Sequence, residues 1–147
     1  MNFEDLIKSD LSRQRRMYRD DRIIVYAPKG HWRKTFKRLE RDTGLDFKFT
    51  RKARKAELVC SYDELTNWAG YATPTSRGYK LQVEPGRWWS DSVVVHEIGH
   101  ALGLHHVSGK ESIMSYDRDY NVDYFMAADL HAITHVFDLP HNSADFY

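Results

Sequence analysis

The stretch His96-Glu97-Ile98-Gly99-His100-Ala101-Leu102-Gly103-Leu104-His105-His106 determines how the rest of the chain is read. It has the form H-E-x-x-H-x-x-G-x-x-H. On a helix, His96 and His100 stand at i and i+4, so both imidazoles leave one face and can grip one metal ion. Glu97 lies about 100° further round, near such an ion but to one side of it. Gly103 allows a sharp exit from the helix, because glycine takes positive φ at little cost. The chain beyond it can return His106 as a third ligand, leaving one corner of a tetrahedron open. Five fixed positions of this kind arise by chance roughly once in a hundred thousand chains of this size. H-E-x-x-H alone is far commoner, so it is the extension to Gly103 and His106 that selects the zinc reading. His105 competes with His106 on paper. The motif spacing selects His106 and leaves His105 facing solvent or the cleft.

Eight positions after His106 comes Met114, within Ser112-Ile113-Met114-Ser115-Tyr116. The combined pattern resembles the metzincin metallopeptidases, whose extended zinc motif is followed by a tight methionine turn. The short gap to the methionine resembles the matrixin branch. Tyr116, two residues after the methionine, instead resembles astacins and serralysins, where a tyrosine there can touch the zinc. The resemblance is strongest over 90–137 and weaker but consistent over 22–89.

That resemblance implies a zinc endopeptidase acting on a protein or peptide. His96, His100 and His106 would hold one catalytic Zn²⁺. Glu97 would be general base toward a zinc-activated water, and would then pass the proton to the leaving amine. Met114 would form a hydrophobic floor under the ligands and not bind the ion, since thioethers suit softer metals. Tyr116 has two readings: a donor to the developing oxyanion, or a side chain packed beneath the methionine turn. Animal matrixins carry a second, structural zinc and calcium ions in a long loop before the fourth strand. Between His31 and His96 this chain has no histidine and its corresponding loop is short, so one zinc and no structural zinc are expected. No recognisable prodomain is present, so latency by a cysteine switch is not expected.

The 147 residues suit one domain with a sizeable core, with 1–20 as an amphipathic N-terminal extension. No apolar run approaches a membrane span. The start, Met1-Asn2-Phe3-Glu4-Asp5-Leu6-Ile7-Lys8, lacks the basic-then-apolar layout of a secretory signal. The chain is therefore expected to work where it is made, to leave by a route without such a signal, or to have been trimmed. Cys60 is the single cysteine, so no intrachain disulfide forms, and its strand-like setting marks it as a core residue. Nothing in the pattern calls for a partner copy, so a monomer is expected.

Net charge is +1 but unevenly spread. The first 60 residues carry 17 Lys/Arg against 9 Asp/Glu, and the remainder is acidic. Arg13-Gln14-Arg15-Arg16 and Arg51-Lys52-Ala53-Arg54-Lys55 could meet a polyanion. No nucleic-acid-binding motif accompanies them, so a solvated basic face is the preferred reading.

In chain order, Phe3, Leu6, Ile7 and Leu11 predict a short amphipathic helix within 3–19 that could partly cover the cleft. Arg22 to Ala27 reads as a buried strand. Trp32, Phe36 and Leu39 give a helix from His31 to Asp42, stopped near Gly44. Strands are predicted at 45–49, 58–62, 68–73 and 79–84. Ser90 or Asp91 should cap the zinc helix. Val93-Val94-Val95 is a poor helix former on propensity, overridden here by the metal motif and burial. A last helix spans about 124–137. Its Asp129 is either a solvated carboxylate or, by resemblance, a brace for the methionine turn. His131 and His135 read as surface or packing residues. Residues from Leu139 on read as irregular.

The order β-α-β-β-β-β-α-α implies an α+β, metzincin-type fold. It would have a twisted five-stranded mixed sheet with one antiparallel edge strand, a backing helix, the zinc helix and a C-terminal helix. By resemblance the edge strand is Trp68-Ala69-Gly70-Tyr71-Ala72-Thr73. A peptide would add to it as an extra strand, beside Ala69, Gly70 and Tyr71. Gly70 would let the substrate backbone come close. Tyr120 to Tyr124 should wall the pocket for the side chain just after the cleaved bond, and their character suggests a medium or large apolar side chain there. A catalytically silent, zinc-stabilised binding module is the competing reading. Glu97 opposes it, because a purely structural site needs neither a base nor an open corner.

Overall fold

The computed structural model describes residues 1–139; the irregular tail read from the sequence otherwise lies outside the described residues. Five strands form one sheet: β1 (Ile23–Tyr26), β2 (Phe47–Phe49), β3 (Leu58–Tyr62), β4 (Gly70–Pro74) and β5 (Tyr79–Val83). Their spatial order is β2-β1-β3-β5-β4. All neighbours are parallel except β4, which runs antiparallel to β5 with Ala72 opposite Leu81. β4 is thus the antiparallel edge strand, and among the described residues one side of its backbone has no partner strand. This is the α+β arrangement that the resemblance implied, a mixed sheet with an antiparallel edge.

Helix α1 covers Ser12–Met17, α2 His31–Thr43, α3 Ser90–Ala101 and α4 Ala127–Val136. α2 turns Trp32, Phe36 and Leu39 into the core and ends on Gly44 at φ +84. α3 packs on β5 and β4 and against α2. Val94, Val95 and Ile98 are fully buried in it. Burying a valine contributes roughly 1.5–3 kcal/mol, against a helix penalty of at most about 0.7 kcal/mol, so tertiary burial decides the helix. Cys60 is buried on β3. No described helix is long and apolar enough to cross a membrane.

The structure corrects several boundaries. No continuous helix covers the N-terminal region. A 3₁₀ turn at Phe3–Leu6 and the short α1 flank an extended piece, in which Ile7 pairs with Leu104. Lys8 N–H donates to the Gly103 carbonyl at 2.8 Å and His105 N–H to the Leu6 carbonyl at 2.8 Å. The segment leaving α3 needs backbone partners, and residues 6–8 supply them in preference to a helix. Leu6 and Met17, both buried, anchor the segment to the core. At α3 the N-cap is Trp89, with no side-chain cap. Ser90 is already helical, and its hydroxyl donates to the Glu84 carbonyl at 2.7 Å. α4 begins at Ala127 because Asp129 accepts from the Met126 N–H at 2.8 Å and starts the helix there.

Candidate metal centre and cleft

His96 and His100 project from α3 with their Nε2 atoms 3.2 Å apart. The helix stops at Leu102, Gly103 takes φ +99, and the Leu104 N–H returns to the Gly99 carbonyl at 3.0 Å. A Cβ on Gly103 would also press on Leu11 and Val136, so the turn has room only for glycine. Val107 is then bridged to Ser115. This returns His106 Nε2 to 3.2 Å from that of His96 and 3.0 Å from that of His100. His105, its neighbour, is exposed and outside the trio.

The tautomers follow from the partners. His96 Nδ1 lies 2.9 Å from the Ile113 carbonyl and His100 Nδ1 3.0 Å from the Leu104 carbonyl. A carbonyl only accepts, so both Nδ1 atoms carry the proton and both Nε2 atoms are bare. Two bare lone pairs 3.2 Å apart repel unless a cation lies between them. Nitrogens about 2.0–2.1 Å from a tetrahedral zinc are spaced about 3.3 Å apart, close to the three separations found. Burial, then the charge of His100, pushes His96 down to about 3. Burial, then His106, pushes His100 down to about 4. His106 is lowered too, mainly by burial. All three are neutral donors at pH 7 and fit a divalent zinc-like ion.

Met114 is fully buried, its Sδ 2.5 Å from where a Cβ on Gly99 would stand. The turn carrying it closes through Ser115 N–H to the Ser112 carbonyl at 3.2 Å. Of the two readings of Asp129, the buried brace is the one found. It accepts from Ser112 Oγ at 2.5 Å and from the Ile113 N–H at 3.0 Å. Since the Ile113 carbonyl holds His96, Asp129 acts on the ring at one remove.

Glu97 is 6% exposed and outside the trio. Burial raises its carboxyl to about 8, against the opposing pull of Arg118. Gly70 also borders Glu97 from β4. A Cβ on Gly70 would lie 2.9 Å from Glu97 Oε2 and 2.7 Å from Val93 Cγ1, so its missing side chain makes room for α3. Tyr116 is 59% exposed and so does not pack beneath the turn. Its hydroxyl lies 3.2 Å from His106 Nδ1, with the rings 4.3 Å apart.

These groups line a cleft of about 420 Å³. Ala69, Gly70 and Tyr71 form the β4 side, and Tyr116 and Tyr120 face it. Sequence reading missed two cations there. Lys8 reaches the cleft from the N-terminal segment and donates to the His100 carbonyl at 2.8 Å. Arg118 lines it from beside Glu97. Neither carries a local signal, because only the folded chain brings residue 8 to α3 or buries residue 118. His131 and His135 pack on Phe3, with His131 stacked at 4.0 Å and His135 edge-on at 5.6 Å. A second trio, His31, Asp91 and Asp123, also offers clustered ligand atoms. There His31 Nε2 already meets the Asp123 carbonyl at 2.8 Å, and Asp91 is 53% exposed.

Residues 78–138 match the matrixin peptidase family, a span that runs from β5 through the trio and Met114 to α4. No curated protein matches the chain. The match covers less than half of the sequence and supports a matrixin-like, zinc metallopeptidase-like domain around this centre.

Proposed function

We propose that the chain is a single-domain, monomeric zinc endopeptidase whose N-terminal 20 residues brace the helix exit. The observation that carries this is the convergence of three Nε2 atoms, two of them necessarily bare, beside a buried carboxylate that is not one of them. His96, His100 and His106 would hold one zinc ion, which when bound polarises a carbonyl and makes water acidic. Glu97 takes the proton of the attacking water and returns it to the leaving amine. Its raised affinity for a proton suits taking one up, and the charge of a bound zinc ion would favour the ionised carboxylate that the first half requires. Tyr116, exposed and with its hydroxyl beside His106, swings to donate to the carbonyl oxygen as it gains charge. The unpaired edge of β4 takes the peptide as an added strand past Ala69, Gly70 and Tyr71. Tyr120 walls the pocket for the residue just after the cleaved bond.

The test is cleavage of casein and of a peptide library with and without chelator, beside Glu97→Ala. Expected is chelator-sensitive cleavage, lost about 10²–10⁴-fold in the variant with zinc retained. A wild-type protein that holds zinc and cleaves no peptide would instead be a zinc-stabilised binding module.

A further inference from the structure

Arg118 is 5% exposed, yet it forms no ion pair with any described carboxylate. Its Nε donates to Ser92 Oγ at 3.0 Å and one Nη to the Ser115 carbonyl at 2.8 Å. Both acceptors are neutral. The guanidinium lies over the Tyr120 ring, 4.1 Å from its centroid, and lines the cleft. A guanidinium has five N–H donors; two go to these acceptors, Tyr120 takes up part of the rest, and donors remain to spend. A buried charge with no carboxylate in direct contact is costly, and Glu97 and Asp129 offset that cost only from beyond ion-pair distance. If the residue only tied the turn to α3, a neutral donor would serve at lower cost.

The position of the charge is also informative. The cleft holds two cations, Arg118 and Lys8. Of the two, Lys8 is committed to the α3 carbonyl end and Tyr79. Arg118 is held by Ser92, the Ser115 carbonyl and the Tyr120 ring, with no described carboxylate in ion-pair contact. A carboxylate entering beside Tyr120 would supply a direct ion-pair partner in a water-poor setting, where charge-assisted hydrogen bonds are strongest.

We propose that Arg118 selects an acidic side chain, aspartate or glutamate, on the residue following the cleaved bond, in place of the apolar residue expected from the flanking aromatic sequence. This rests on the endopeptidase reading above. The test uses zinc-loaded protein and peptides identical except at that residue: Asp against Asn, Glu against Gln, and Leu. Expected is a kcat/KM ratio of roughly tenfold or more for each acid over its amide, falling with added salt. In Arg118→Gln the ratio should drop toward one, and in Arg118→Lys part of it should survive. A wild-type ratio near one, or a ratio unmoved in Arg118→Gln, overturns the assignment; the wild-type ratio decides the matter even if the variants do not fold. If no peptide is cleaved at all, the endopeptidase reading has failed and this one is judged by binding. Tryptophan fluorescence of the Glu97→Gln protein should then report tighter binding of the acid than of the amide peptide, and equal binding would refute it.

Discussion

Gly99 and Met114 meet across the space that any other side chain at position 99 would fill. A Cβ there would lie 2.5 Å from Met114 Sδ, with the Phe125 ring 3.4 Å away on another side. The unspecified fourth residue of the H-E-x-x-H run is therefore set by the turn that follows, fifteen residues later. Gly99→Ala should cost about 1–3 kcal/mol by overpacking and lower zinc affinity, because the displaced turn carries the Ile113 carbonyl that holds His96. Urea unfolding and a zinc-competition titration measure both. Unchanged stability would mean that Met114 repacks freely.

His106→Ala should lose zinc, while His105→Ala retains most of it, since only the former has Nε2 within 3.2 Å of both helix histidines. Metal analysis of the wild type should return one zinc per chain. A second equivalent that disappears in Asp91→Asn would assign metal to the His31 trio and contradict the one-zinc expectation.

Asp129→Ala should destabilise the fold by about 2–4 kcal/mol, because it strips three donors of their acceptor: Ser112 Oγ and the N–H groups of Ile113 and Met126. It should also weaken zinc binding about 10–100-fold through the Ile113 carbonyl. A loss of stability with zinc affinity intact would separate the brace from the metal site.

The metal-free protein should be most stable near neutrality. The histidine pKa values lie below the ordinary 6.5, at about 3 for His96 and about 4 for His100, so below 6.5 the unfolded chain binds the extra protons and acid destabilises. Glu97 is raised from 4.5 to about 8, so between those values the folded state holds a proton that the unfolded state has lost. From about 6.5 to 8 that carboxyl acts alone, and stability falls as pH rises. Below 6.5 the histidines outnumber it, and stability falls as pH drops. Each net proton contributes about 1.4 kcal/mol per pH unit. Thermal unfolding of chelator-treated protein from pH 5 to 8.5 should peak near 6.5; a midpoint that climbs steadily to pH 8.5 would contradict this.

Local sequence determined the zinc helix, the exit at Gly103, the order of strands and helices, and the choice of His106 over His105. Those features depend on residues within one or two turns of each other, where 3.6-residue and 2-residue periodicities and the positive φ of glycine act directly. Tertiary structure alone decided that Gly70 makes room for α3, that residues 6–8 pair with the chain leaving α3, and that Arg118 is buried in the cleft with Glu97. Each depends on segments between 20 and nearly 100 residues apart in sequence. Nothing in a residue's neighbours along the chain reveals which distant backbone will take its hydrogen bonds, or whether its charge will be left in water.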